Sequence, residues 1–138
     1  ALLVDIVSKN GNLLLDVGPE PDGTIPAIQV DRLQKLGAWL KQNGDAIFDT
    51  RPWTRASGKT ADGIDVRFTT KGKVLYAVLL GRPKGNSVTF LDVASTPHGK
   101  ATLLGTDVEL KLMPQGKNLV VSLPESLPGN YAWAIRFD

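Results

Sequence analysis

Residues 8 to 26, SKNGNLLLDVGPEPDGTIP, hold the densest chemistry in this chain: Asp16, Glu20 and Asp22 fall at the end of an apolar run and in the proline-broken loop after it. Carboxylates placed there can move protons or accept hydrogen bonds from polar groups. Asp16 is the strongest candidate, because it closes three consecutive leucines. Asp22 and Gly23 read as a turn, with Thr24 as a local hydrogen-bonding residue at the entry to a helix. The single histidine, His98 in STPHGK, lies in a Pro/Gly turn with no second histidine in the chain. That setting suits a solvated loop residue rather than a metal ligand or part of a Ser-His-Asp set. GRPKGN (81–86) lacks the spacing of a phosphate loop and reads as a hairpin turn. Cysteine is absent, which excludes disulfides, thiolate metal sites and cysteine nucleophiles and leaves the redox compartment open. No metal or other cofactor is expected.

Elements must position these groups, and composition bounds what elements are available. A chain of 138 residues with 42% hydrophobic content buries roughly two-thirds of its unfolded surface, enough for one core or two small ones. The formal charge is +2 and the pI about 9.0, yet lysine and arginine are scattered and collect on no tract, so no nucleic-acid partner is expected. No apolar run approaches the roughly 20 residues of a membrane span, and no signal-peptide pattern appears, so no membrane partner is expected either.

Along the chain, LLVDIVSK spaces Leu2, Leu3, Ile6 and Val7 as a helix does, and Asn10–Gly11 supplies a left-handed stop after Lys9. No capping residue precedes it and the chain starts at Ala1, which reads as the end of a helix whose beginning is missing, in a truncated or proteolysed product. NLLLDV (12–17) lacks alternation and reads as a strand buried on both faces, as in a parallel sheet or barrel. Pro26 then suits the start of a helix over 27–43, with Val30, Leu33, Leu36, Gly37 and Leu40 on one stripe and Asn43–Gly44 as its stop. Helix, buried strand, loop and helix form a piece of repeating α/β architecture whose partner strands are expected upstream.

From about Asp45 the pattern changes. IDVRFTT, KVLYAVLL, SVTFLDV, DVELKL, NLVVSL and YAWAIRF are short, rich in β-branched and aromatic residues and separated by turn signals, which predicts an antiparallel β-sandwich. Ile64, Val66 and Phe68 alternate, as do Val108, Leu110 and Leu112, so each set marks one buried face; VLYAVLL is continuously apolar and reads as central. DAIFDTRPWTRASGKTADG (45–63) reads as a linker with a flexible, glycine-marked end.

VSKNGNLLLDVGPEPDGTIP (7–26), RLQKLGAWLKQNGDAIFDTRPW (32–53) and VRFTTKGKVLYAVLLGRP (66–83), in that order and spacing, resemble the C-terminal part of glycoside hydrolase family 29, the retaining α-L-fucosidases. The resemblance implies a mixed fold: a terminal β/α piece of a TIM barrel followed by an antiparallel β-sandwich. Residues 1–50 would supply the last strand and helix of the (β/α)8 catalytic barrel, and residues 51–138 the C-terminal sandwich. Family enzymes use an aspartate nucleophile, a separate acid/base carboxylate and fucose-binding histidines, in motifs that precede the blocks found here. No position in this chain matches them, so no catalytic residue is assigned. Asp16 is retained as a substrate-binding residue or one that supports the site by hydrogen bonding, since the family pattern often has asparagine at this place. Barrel enzymes put functional groups at such strand ends.

Tryptophan faces offer a second route to sugars, but Trp39 and Trp53 are read as packing the helix and linker between the two parts. Tyr131, Trp133 and Ile135 alternate and are read as one core face, with Ala132, Ala134 and Arg136 on the outer one. The function the resemblance implies is the C-terminal portion of a fucosidase that hydrolyses terminal α-L-fucosyl linkages in glycans, with a structural role for this segment. The alternative is a carbohydrate-binding sandwich module that holds a glycan without cleaving it. The implied partners are the upstream barrel of the same enzyme and, for the complete enzyme, a fucosylated glycan. Residues 1–50 carry apolar surface that must dock on the β-domain, pair with another copy in an oligomer, or be held by upstream chain.

Overall fold

The computed structural model describes residues 1–93 and 99–138; His98 lies outside the described residues. Two helices come first, α1 (Leu2–Ser8) and α2 (Ala27–Asn43), followed by a 3-10 turn at Gly44–Ala46. The strands are β1 (Arg51–Lys59), β2 (Asp65–Lys71), β3 (Val74–Leu79), β4 (Ser87–Phe90), β5 (Ala101–Leu103), β6 (Glu109–Leu110), β7 (Leu112–Gln115), β8 (Asn118–Ser122) and β9 (Trp133–Phe137). One sheet has six strands in the order β1-β2-β3-β9-β5-β6 and the other three in the order β4-β8-β7, with antiparallel pairing throughout. They face each other across one core that includes Phe68, Leu75, Leu79, Phe90, Leu119, Ile135 and Phe137.

β3 lies in the interior of the six-stranded sheet, and both its faces are covered. Leu75, Ala77 and Leu79 point into the sandwich core. Tyr76 and Val78 belong to a second cluster with Val4 of α1, Ala46, Ile47, Ala132 and Ala134, against which Trp39 and Leu40 of α2 pack. Two-sided burial is the physical reason that VLYAVLL has no polar alternation. Ala132 and Ala134 are therefore interior, contrary to the outer-face expectation: their small side chains let the helical layer approach the sheet. Tyr131 departs from its expected place beside Trp133 and Ile135. It is 64% exposed with φ 79°, outside the strand.

Directional polar contacts fix the helical layer on the sheet. Trp39 Nε1 donates to the Ala132 carbonyl at 2.9 Å, and the buried Asn43 accepts from the Ala134 amide at 3.3 Å through Oδ1. Asp5 of α1 binds Lys9 and Arg67 of β2, and these hydrogen bonds, that of Lys9 foremost, hold its carboxyl below the ordinary carboxylate range. α1 ends with Asn10 at φ 66°, the Gly11 amide on the Ile6 carbonyl and the Asn10 amide on the Val7 carbonyl, the paired pattern of a Schellman stop. α2 ends differently from its expected left-handed stop: Gly44 is right-handed at φ −59° and the chain runs on into the 3-10 turn.

Two further expectations are corrected. Residues 51–59 form β1 rather than part of a flexible linker, since pairing with β2 on both sides of an irregularity between Pro52 and Ser57 outweighs the weak strand character of RPWTRASGK. Trp53 packs on Phe68 within the sandwich, ring centroids 5.0 Å apart, instead of against the preceding elements, and Arg55 lies over both rings. Residues 12–17, read as a strand whose partners lie upstream, take no regular structure by themselves among the described residues.

Gln42 of α2 reaches between two left-handed glycines, Gly105 (φ 80°) and Gly129 (φ 66°), and a Cβ at Gly105 would run into its side chain. Gly105→Ala is expected to cost about 1–3 kcal/mol, and adding Gln42→Ala should recover only the steric share because the backbone strain persists. Chemical denaturation of the single and double variants checks this; a neutral Gly105→Ala contradicts it.

Candidate functional site

The candidate site begins where the regular structure pauses. Residues 12–17 make no backbone hydrogen bond to any described residue. Leu13 and Val17 are half-buried, whereas Leu14 is 88% exposed, Leu15 54% exposed, and Asp16 is exposed. Exposed leucines beside an unpaired backbone form a surface that water solvates poorly. The Asp16 side chain makes no hydrogen bond or ion pair among the described residues. It shares an open groove with Leu15, Ile28, Gln29, Arg32 and Leu33, so one carboxylate and one guanidinium stand in an otherwise largely apolar trough.

The loop after Asp16 is built by short-range polar contacts. Gln29, in the first turn of α2, holds Gly18 from both sides: its Oε1 accepts from the Gly18 amide at 2.9 Å and its Nε2 donates to the Gly18 carbonyl at 3.2 Å. Further along, the Glu20 amide donates to the Thr24 carbonyl at 2.7 Å and the Gly23 amide to the Glu20 carbonyl at 2.9 Å. Gly23 has φ 84°, which only a residue without Cβ adopts freely. Asp22 accepts at one oxygen from the Thr24 hydroxyl (2.7 Å) and amide (2.9 Å), so the turn read at Asp22–Thr24 is present. Those bonds, the hydroxyl first, lower the Asp22 carboxyl below its ordinary value. Pro26 caps α2 rather than occupying its first helical position.

The structure thus brings Asp16 to a groove with Arg32 and Gln29, assigns Asp22 to a turn, and gives the Glu20 side chain no partner among the described residues. Gln29 and Arg32 escaped sequence reading because both lie within an ordinary amphipathic helix. The available signal was a glutamine in the third helical position after a capping proline. For aromatic stacking on sugars, Trp133 is buried, with Nε1 donating to the Pro128 carbonyl, and Trp39 and Trp53 are partly buried in packing. Among the described residues no group of three or more His, Asp or Glu comes together as a metal site.

Comparison with known proteins places this geometry. Residues 1–45 match the family model described as Alpha-L-fucosidase, and residues 61–138 match the one described as Alpha-L-fucosidase C-terminal domain. Tissue alpha-L-fucosidase of Bos taurus is 41% identical over 140 residues, covering 97% of this chain and 29% of that protein. The Homo sapiens tissue enzyme is 36% identical with the same two coverages. The structure of Thermotoga maritima alpha-fucosidase in complex with fucose superposes with a TM-score of 0.91 and 40% identity, over 99% of this chain and 33% of that one. The chain therefore spans about a third or less of the length of these relatives.

The Asp22 turn yields a pH prediction. A carboxyl whose folded pKa is depressed adds stability above its unfolded value of 3.8, and loses that contribution as pH falls through the lower folded value. The Thr24 amide resonance should titrate with a midpoint below 3.8 and shift little in Asp22→Asn. A wild-type midpoint at or above the ordinary value contradicts the Asx-turn account.

Proposed function

We propose, from the premise that this chain belongs to the alpha-L-fucosidase family through its C-terminal domain, that it forms the end of a retaining fucosidase. In that reading residues 1–50 close a (β/α)8 catalytic barrel and residues 51–138 form the sandwich that braces it. The observation that carries the reading is the state of residues 12–17: an apolar segment without ladder partners, between two helices docked on the sandwich. A barrel strand next to upstream strands would satisfy that backbone, and strand alternation would set Leu14 and Asp16 on one face, toward the barrel interior.

Retaining hydrolysis uses two carboxyl groups about 5–5.5 Å apart, one attacking the anomeric carbon and one protonating the leaving oxygen. Both belong to the upstream barrel in this proposal. Asp16, at the C-terminal end of its strand, then lies on the rim where barrel enzymes bind substrate, as a ligand for fucose hydroxyls or a brace for neighbouring loops. The upstream barrel is the proposed partner of the exposed leucines, and a fucosylated glycan the substrate of the complete enzyme. A glycan-binding module finds less support, since the strands bury their large aromatic residues, Trp53 in part, and the exposed aromatics among the described residues, Phe48 and Tyr131, lie outside the strands.

The polypeptide comprising this chain and its upstream barrel is expected to release fucose from an aryl α-L-fucoside with retention of configuration, and the 138-residue chain to release none. Fucose release with NMR detection of the first-formed anomer checks both. Turnover by the chain alone, or an inactive long form, contradicts the reading.

A further inference from the structure

Gln29 stands at the third helical position of α2, where a glutamine ordinarily folds back to bond the amide of the capping residue. Here the capping residue is Pro26, which has no amide hydrogen to offer. The Gln29 carboxamide instead reaches eleven residues back to Gly18 and bonds both its N–H (2.9 Å) and its carbonyl (3.2 Å). A carboxamide can meet both groups of one residue because it carries an acceptor and a donor side by side. Asparagine is one methylene shorter, and a carboxylate lacks the donor. Gly18 lies two residues beyond Asp16 and opens the Pro19–Pro26 loop, whose far end Glu20, Asp22 and Thr24 tie internally. The side-chain clamp from α2 is therefore what fixes the near end of the loop.

We infer that Gln29 is a positioning residue: by pinning Gly18 to α2 it sets where Asp16 and the rim loop stand over the fucoside site. The inference rests on the fucosidase reading. In the complete enzyme, Gln29→Ala should speed hydrogen exchange at the Gly18 amide and lower kcat/KM per folded molecule by about threefold to tenfold, the worth of one or two neutral hydrogen bonds. Its loss should not add to that of Asp16→Ala in the double variant, since both act through one side chain. Gln29→Glu carries a pH signature that a merely structural residue would not. Its deficit relative to wild type should shrink as pH falls through about 4–5, where the introduced carboxyl gains a proton and with it the missing donor. Wild-type kcat/KM in Gln29→Ala, whatever its melting temperature, overturns the assignment, as do additive losses in the double variant. An inactive wild-type enzyme would defeat the fucosidase reading instead; unchanged Gly18 exchange in Gln29→Ala then still overturns the clamp.

Discussion

β3 and β9 are buried on both faces, and this shared burial ties the two parts of the molecule together. On one side Leu75, Ala77, Leu79, Trp133, Ile135 and Phe137 meet the three-stranded sheet; on the other Tyr76, Val78, Ala132 and Ala134 meet the helical layer. Removing either layer would expose a large apolar face, at roughly 25 cal/mol for each Å² returned to water. Apolar packing is indifferent to rotation, so orientation falls to the directional contacts. Trp39 and Asn43 each bond the β9 side of the sheet, Asp5 bonds Arg67, and Gln42 lodges between Gly105 and Gly129. Trp39, Gln42 and Asn43 set the angle of α2 and Asp5 that of α1, and α2 in turn carries Gln29 and the loop beyond Asp16.

The segment between the helices shows the opposite condition. Two-sided burial stabilises β3 because its backbone is already paired with β2 and β9. Residues 12–17 carry three leucines and a valine without any such pairing among the described residues. Neither packing nor hydrogen bonding is completed there by the described residues, and that shortage, next to a well-formed rim loop, is what the barrel proposal resolves. The match of residues 1–45 to the fucosidase model and of 61–138 to the C-terminal domain model supports the same origin for both parts.

Much of this was legible in the residues. Two helices, one with its Asn10 stop, the Asp22–Thr24 turn, the antiparallel sheets and the interior place of VLYAVLL all follow from local rules of periodicity and turn chemistry. β1 did not, because Pro52, Ser57 and Gly58 argue against a strand until pairing with β2 and an edge position make them tolerable. Ala132 and Ala134 misled for a related reason: small side chains look expendable in sequence, whereas here close approach of a helix requires them. The clamp of Gln29 on Gly18 spans a loop, so only tertiary structure discloses it. Asp16 was found from sequence, and its groove neighbour Arg32 was not.

As a barrel strand, the proposed state of residues 12–17 in the complete enzyme, this segment would have its backbone paired on both sides. Amide hydrogen exchange of Leu13–Val17, measured in this chain alone and in the complete enzyme, tests it most directly. Rapid exchange is expected in the chain alone and protection by several orders of magnitude in the complete enzyme, as for core strands. Equal exchange in the two forms would contradict it.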